Sequence, residues 1–109
     1  MPANNPFVMA PYRRHIFICT GPRCARQEVS SALYQWLKKR LTELKFNEGP
    51  DRVLRSQCSC FGICQKGPLA VVYPEGIWYQ ELDEEKLEQI IQKHFIQHQP
   101  AKDFILYAR

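Results

Sequence analysis

All five cysteines of the chain lie in two short segments that are far apart in the sequence. Cys19 and Cys24 form a C-x4-C pair, and Cys58, Cys60 and Cys64 follow much later. The odd number argues against a closed set of disulfides, and clustered thiols outside an oxidising compartment are typical of metal binding or redox chemistry. The fold therefore has to bring two distant segments together.

The hydrophobic pattern predicts a single α/β domain with the element order β-α-β-β-β-α. Its 109 residues suit one domain, because chains of this length bury a single core. Strands are predicted at 15–18, 52–57, 69–73 and 77–81, and helices at 28–46 and after the N-cap residue Asp83. The expected architecture is a mixed four-stranded sheet covered by two helices, with residues 104–109 as a short edge strand or a contact surface.

The predicted strand directions bring the cysteines to one edge of the sheet. Cys19 and Cys24 follow the first strand, and Cys60 and Cys64 follow the second. Two strands joined by a helix are expected to be parallel, so their carboxyl ends share an edge, which is where open α/β folds place their sites. Four sulfur atoms from two loops can then surround one small inorganic centre.

The cysteine spacing favours an iron–sulfur cluster over two alternatives. Structural zinc sites more often use C-x2-C pairs, and thioredoxin-type exchange needs a C-x-x-C pair that this chain lacks. Iron–sulfur clusters prefer all-thiolate ligation, which C-x4-C and C-x3-C pairs can supply. A structural or regulatory zinc- or cluster-binding module and a thiol–disulfide redox protein remain as alternatives.

The chain resembles the thioredoxin-like [2Fe–2S] ferredoxins in two stretches, CTGPRC and CFGICQKGPLAVVYPEGIWY. The C-x4-C and C-x3-C spacing is also similar to that of the thioredoxin-like iron–sulfur subunit of respiratory NADH:quinone oxidoreductases. The resemblance covers residues 14–97. This resemblance implies a thioredoxin-like fold and a low-potential one-electron carrier without catalytic residues, commonly a homodimer, that serves a reductase and an acceptor enzyme. It implies a [2Fe–2S] cluster with the ligands Cys19, Cys24, Cys60 and Cys64.

Cys58 matches no ligand position of that family and is a surplus thiol. Strand alternation places Cys58 and Cys60 on the same side, so geometry alone leaves Cys58 open as a substitute ligand. Cys60 is the expected ligand, because CFGIC keeps the C-x3-C step ahead of Gly67 and Pro68.

Charge and hydropathy exclude several other classes of protein. The formal net charge is +4 with cysteines counted as neutral, and the basic residues are spread along the chain, so we expect no nucleic-acid partner. No apolar run approaches the roughly 20 residues that cross a bilayer. The arginines near the amino terminus follow a weakly apolar stretch, the reverse of a secretory signal. We expect a cytoplasmic protein with a flexible leader at 1–12 and a domain at 13–109.

Overall fold

Five strands form one mixed sheet in the computed structural model, which describes residues 12–20, 27–58 and 67–108. The elements are β1 (Arg14–Cys19), α1 (Gln27–Glu43), β2 (Val53–Cys58), β3 (Ala70–Tyr73), β4 (Ile77–Tyr79), α2 (Glu84–Ile90), a π-helical turn (Ile91–Ile96), a 3-10 turn (Lys102–Phe104) and β5 (Ile105–Ala108). Residues 1–11 of the predicted leader lie outside the described part of the chain.

The sheet has the strand order β2-β1-β3-β4-β5. β1 and β2 are parallel, as predicted, and the other neighbours are antiparallel. The predicted α/β class with a mixed sheet is confirmed, but the sheet has five strands rather than four. The fifth is an edge strand within residues 104–109, one of the two alternatives expected for that segment. The fifth strand pairs with the short strand β4 through a bulge at Trp78 and Tyr79, an irregularity that no local sequence pattern announces.

Both helices pack on one face of the sheet. Leu33, Leu37 and Leu41 recur at helical spacing on α1 and are buried together with Ile16 and Ile18 of β1. Leu87 and Ile90 of α2 join the same core. Because side chains alternate along a strand, this face takes the even-numbered residues of β1.

The other face of the sheet carries mostly aromatic and polar side chains. His15 and Phe17 of β1 stack with ring centroids 4.0 Å apart, and Phe17 meets the ring of Tyr73 edge to face. The His15 ring nitrogen Nε2 lies 2.8 Å from Ser56 Oγ on the neighbouring strand. Tyr107 of β5 is the most exposed large hydrophobic side chain of the described residues, at 60%. We call this surface, which carries His15, Phe17, Tyr73 and Tyr107, the open face.

A buried polar network lies at the amino end of β1. The guanidinium of Arg14 donates to Glu75 Oε2 through Nε at 3.1 Å and contacts it through Nη2 at 3.0 Å, although Arg14 is only 5% exposed. The backbone N–H of Ala101 donates to the Tyr79 hydroxyl at 3.1 Å, and that hydroxyl lies 2.8 Å from His94 Nδ1. On the other side of the ring, His94 Nε2 lies 3.4 Å from Glu75 Oε1. The network joins the turn after β3 to the segment after α2.

The turn between β3 and β4 is built by Pro74, Glu75 and Gly76. The backbone N–H of Gly76 donates to the carbonyl of Val72 at 2.8 Å. Gly76 has a φ of 72°, a conformation that glycine adopts without a steric cost. The peptide bonds preceding Pro68 and Pro74 are cis. The turn matches the predicted hairpin.

None of the helices in the described part of the chain is long and apolar enough to cross a membrane.

Candidate functional site

The parallel alignment of β1 and β2 places two cysteines side by side. Cys19 is the last residue of β1, Cys58 is the last residue of β2, and the two are direct partners in the strand register. Aligned residues of neighbouring parallel strands project to the same face, here the open face. The carboxyl ends of the two strands therefore meet at one sheet edge, as predicted.

Cys19 is enclosed by apolar side chains. It is 0% exposed and packs with Leu69, which precedes β3, and with the partly buried Leu106 of β5. Its backbone N–H donates to the carbonyl of Leu69 at 3.0 Å. These contacts fix the position of the Cys19 backbone and shield its sulfur from water on one side.

Thr20 fastens the end of β1 to the end of β2. Its backbone N–H donates to the carbonyl of Cys58 at 2.7 Å, and its hydroxyl lies 3.2 Å from the same oxygen. The two strands therefore stay in register up to the point where their loops begin. The segments that follow β1 and β2 in the sequence therefore start from adjacent backbone positions.

The surroundings of Cys58 disfavour its thiolate. Burial raises the pKa of the Cys58 thiol, and the neighbouring Cys19 sulfur adds to this through like-charge repulsion.

Three of the four predicted ligands, Cys24, Cys60 and Cys64, lie outside the described residues. Within residues 12–20, 27–58 and 67–108, no group of three or more His, Cys, Asp or Glu side chains is placed to hold a metal ion. The structure brings the predicted ligand Cys19 together with the surplus thiol Cys58. The chain continues from Cys58 to Cys60 in two residues and from Cys19 to Cys24 in five.

The sequence alone did not indicate that Leu106 contributes to the site. A four-residue strand at the end of a chain carries too short an alternation to show which side chain turns inward, and the bulge in the β4–β5 pairing shifts the register. The apolar wall beside Cys19 therefore depends on the fifth strand, whose position only the three-dimensional structure reveals.

The sequence profile of the thioredoxin-like [2Fe–2S] ferredoxin family matches residues 5–94, which is most of the chain. The chain belongs to this family. This membership confirms the predicted [2Fe–2S] cofactor and the predicted function as an electron carrier, because the family consists of [2Fe–2S] ferredoxins. The thiols at the edge of β1 and β2 fit this cofactor, since iron–sulfur clusters are held by cysteine thiolates.

Relatives with the same cofactor in their names align over most of this ferredoxin. A 2Fe–2S ferredoxin of Clostridium pasteurianum is 33% identical over 86 residues, which cover 75% of this chain and 84% of the relative. A 2Fe–2S ferredoxin of Aquifex aeolicus is 24% identical over 101 residues, covering 85% of this chain and 88% of that one.

Solved structures confirm the thioredoxin-like fold. A crystal structure of the thioredoxin-like [2Fe–2S] ferredoxin from Aquifex aeolicus superposes with a TM-score of 0.73 at 24% identity, and it covers 88% of this chain and 98% of the other. A second structure of that protein gives a TM-score of 0.75 and covers 89% of this chain and 93% of the other.

Proposed function

We propose that Cys19, Cys24, Cys60 and Cys64 hold the [2Fe–2S] cluster of this ferredoxin, and that the chain passes single electrons between partner proteins. The pairing of Cys19 with Cys58 at the ends of two parallel strands carries the proposal. It means that the segment with Cys24 and the segment with Cys60 and Cys64 both start from the same edge of the sheet.

Each described part of the site has a physical role in this proposal. The cluster supplies one-electron redox chemistry when bound. The Cys19 thiolate binds iron from a fixed backbone position, because hydrogen bonds hold β1 to the carbonyls of Leu69 and Cys58. Leu69 and Leu106 exclude water beside the Cys19 sulfur, and such exclusion is one of the properties that set a cluster potential.

The proposed partners are a reductase that delivers the electron and an acceptor enzyme that receives it. No catalytic residue is assigned to this chain, because the transfer requires only that the cluster come close to the partner's redox centre. Docking at the edge that carries the two loops brings the cluster nearest to the partner. Weak and transient contacts suit such a carrier.

We further propose that the ferredoxin is a homodimer that associates through its open face. None of the strand residues that project to this face is Asp, Glu, Lys or Arg, although 24% of the chain is charged. Tyr73 and Tyr107 are exposed there. An uncharged aromatic surface is complementary to a second copy of itself, since no like charges meet.

The proposed location is the cytoplasm, and the proposed domain spans residues 13–109. The five cysteines are odd in number and lie in two separate segments. This suits a reducing compartment, where thiols stay reduced and can bind an iron–sulfur cluster.

Anaerobic purification of the full-length chain tests the ligand set. The protein should be reddish-brown, contain iron and sulfide in equal amounts, and bleach with dithionite. Cys60→Ser should remove or alter the visible spectrum, because a thiolate ligand is lost.

Cys58→Ser is the matched control, since it changes a thiol two residues away that is not a proposed ligand. Its spectrum should equal that of the unchanged protein. The opposite pattern, with Cys58 required and Cys60 dispensable, would overturn the ligand set. Colourless protein that contains zinc, or metal-free protein that cycles a disulfide, would instead support one of the two alternative functions.

A further inference from the structure

We propose that Cys58 has a function of its own: it forms a disulfide with Cys19 when the ferredoxin loses its cluster. The Cys19–Cys58 pair would then be an oxidative modification site that keeps a ligand cysteine in a reversible state. The proposal draws on the proposed ligand set in one respect only, namely that Cys19 is occupied while the cluster is bound.

The strand register places the two cysteines within bridging distance. They are direct partners in the parallel pairing of β1 and β2. Neighbouring strands run about 4.7–4.9 Å apart, and disulfides join residues whose Cα atoms are about 4.4–6.8 Å apart. Because both side chains project to the open face, the two sulfurs are on the same side of the sheet.

Hydrogen bonds hold the pair in this alignment. The bond from the Thr20 N–H to the Cys58 carbonyl closes the ladder immediately after the cysteines, at 2.7 Å. The bond from the Cys19 N–H to Leu69 fixes β1 on its other side. Once Cys58 carries a mixed disulfide, the adjacent Cys19 thiolate attacks it faster than a dissolved thiol does, because no translational freedom has to be lost.

The difference in burial sets the order of the chemical steps. Cys58 is partly exposed, whereas Cys19 is fully buried. With glutathione disulfide as the oxidant, the Cys58 thiol gives its proton to water, and the resulting thiolate attacks one sulfur of the oxidant. One glutathione leaves as a thiolate and takes up a proton. The Cys19 thiolate then attacks the Cys58 sulfur and releases the second glutathione. The two protein thiols are oxidised to one disulfide, and one glutathione disulfide is reduced to two thiols.

A bound cluster and this disulfide exclude each other. The Cys19 sulfur cannot bind iron and attack the Cys58 sulfur at the same time. The disulfide therefore marks protein that has lost its cluster. It also protects the Cys19 sulfur from the irreversible oxidation to sulfinic and sulfonic acids, because thiols can reduce the disulfide and restore the Cys19 thiol.

Peptide mapping of the full-length, cluster-loaded protein tests the proposal. The protein is incubated without oxygen with glutathione disulfide and an iron chelator, and samples are alkylated and digested with trypsin without reduction. Trypsin places Cys19 alone in the peptide 15–23 and places Cys58, Cys60 and Cys64 together in the peptide 56–66. A cross-linked pair of these peptides should increase as the visible absorbance of the cluster decreases.

Two single variants identify the partner of Cys19. The two variants are compared after the cluster has been removed from both. Cys58→Ser should abolish the cross-linked peptide, whereas Cys60→Ser, which removes a thiol from the same tryptic peptide, should retain it. A cross-link that persists in Cys58→Ser would overturn the proposal. So would loss of the cluster with Cys19 recovered only in alkylated or glutathione-bound form.

The same experiment separates this proposal from the proposed ligand set. Full cluster absorbance together with the Cys19–Cys58 cross-link would show that Cys19 is not a ligand, while the disulfide would stand. Loss of the cluster without that cross-link would refute the disulfide and leave the ligand set untouched.

Discussion

Tyr79 has a fully buried hydroxyl that serves two neighbours at once. It accepts from the Ala101 N–H and lies 2.8 Å from His94 Nδ1, and burial raises the pKa of Tyr79 to about 12. We expect Tyr79→Phe to destabilise the fold by about 1–3 kcal/mol, because a buried N–H and a buried ring nitrogen lose their partner. Urea unfolding measures the change. Tyr107→Phe, at a side chain that is 60% exposed, should have no such effect.

His94 makes the stability of the fold depend on pH. Burial lowers the pKa of His94 from its ordinary 6.5, although the nearby Glu75 carboxylate opposes the shift. Below about pH 6.5 this histidine binds a proton more readily in the unfolded chain than in the folded one. The free energy of unfolding therefore falls as the pH falls. We expect thermal unfolding midpoints to decrease from about pH 7.5 to about pH 5.

His94→Gln should reduce the slope of that decrease. Burial also lowers the pKa of His15, so some slope should remain. The carboxyl pKa of Glu75 is lowered, chiefly by its hydrogen bond from Arg14 against the effect of burial, so Glu75 titrates below this range. Gln97→Asn, a change at an exposed neutral side chain of the same segment, is the control. A slope that His94→Gln leaves unchanged would contradict the assignment.

Sequence reasoning identified individual residues better than their partners. The ends of the two strands, and hence the location of Cys19, followed from short β-type runs and from the parallel direction that a connecting helix imposes. The network of Arg14, Glu75, Tyr79 and His94 did not follow, because its members come from three distant segments. Only the tertiary fold brings them together.

The start of α2 depends on one side chain. Asp83, predicted as the N-cap, accepts from the Lys86 N–H at 2.8 Å. We expect Asp83→Ala to cost about 0.5–2 kcal/mol, because that N–H loses its partner. Denaturant unfolding monitored by circular dichroism measures this cost.

Glu85→Ala, which removes a charge from the first turn but no capping bond, is the comparison. Its effect should be smaller, at about 0.3–1 kcal/mol, and should decrease with added salt. Equal losses from both variants would show that charge rather than the capping bond determines how the helix begins.

Element boundaries were less predictable than element types. The helix predicted at 28–46 ends as α1 at Glu43, and the strand predicted at 77–81 ends as β4 at Tyr79. Lys45 and Glu81, which follow these ends, have positive φ values, and a positive φ does not continue either element. Neither residue is a type that favours such a backbone, so no sequence signal marked the two ends.

At the scale of the whole molecule, the uncharged open face predicts self-association. Tyr107→Glu should convert the proposed dimer into monomers, because each copy would bring an uncompensated carboxylate into an uncharged interface. Size-exclusion chromatography with light scattering measures the mass. Lys39→Glu on the exposed side of α1 is the control and should leave the mass unchanged. A monomeric parent protein would contradict the prediction.

The pairing of Cys19 with Cys58 in the strand register also determines where the chain tolerates changes in length. One residue inserted into β2 would rotate Cys58 and everything after it to the helix-covered side of the sheet, because strand side chains alternate with a period of two. An insertion in the segments that follow the two strands leaves the pairing of Cys19 with Cys58 intact. Natural variants of this protein should therefore differ in the length of those segments and keep the length of β2.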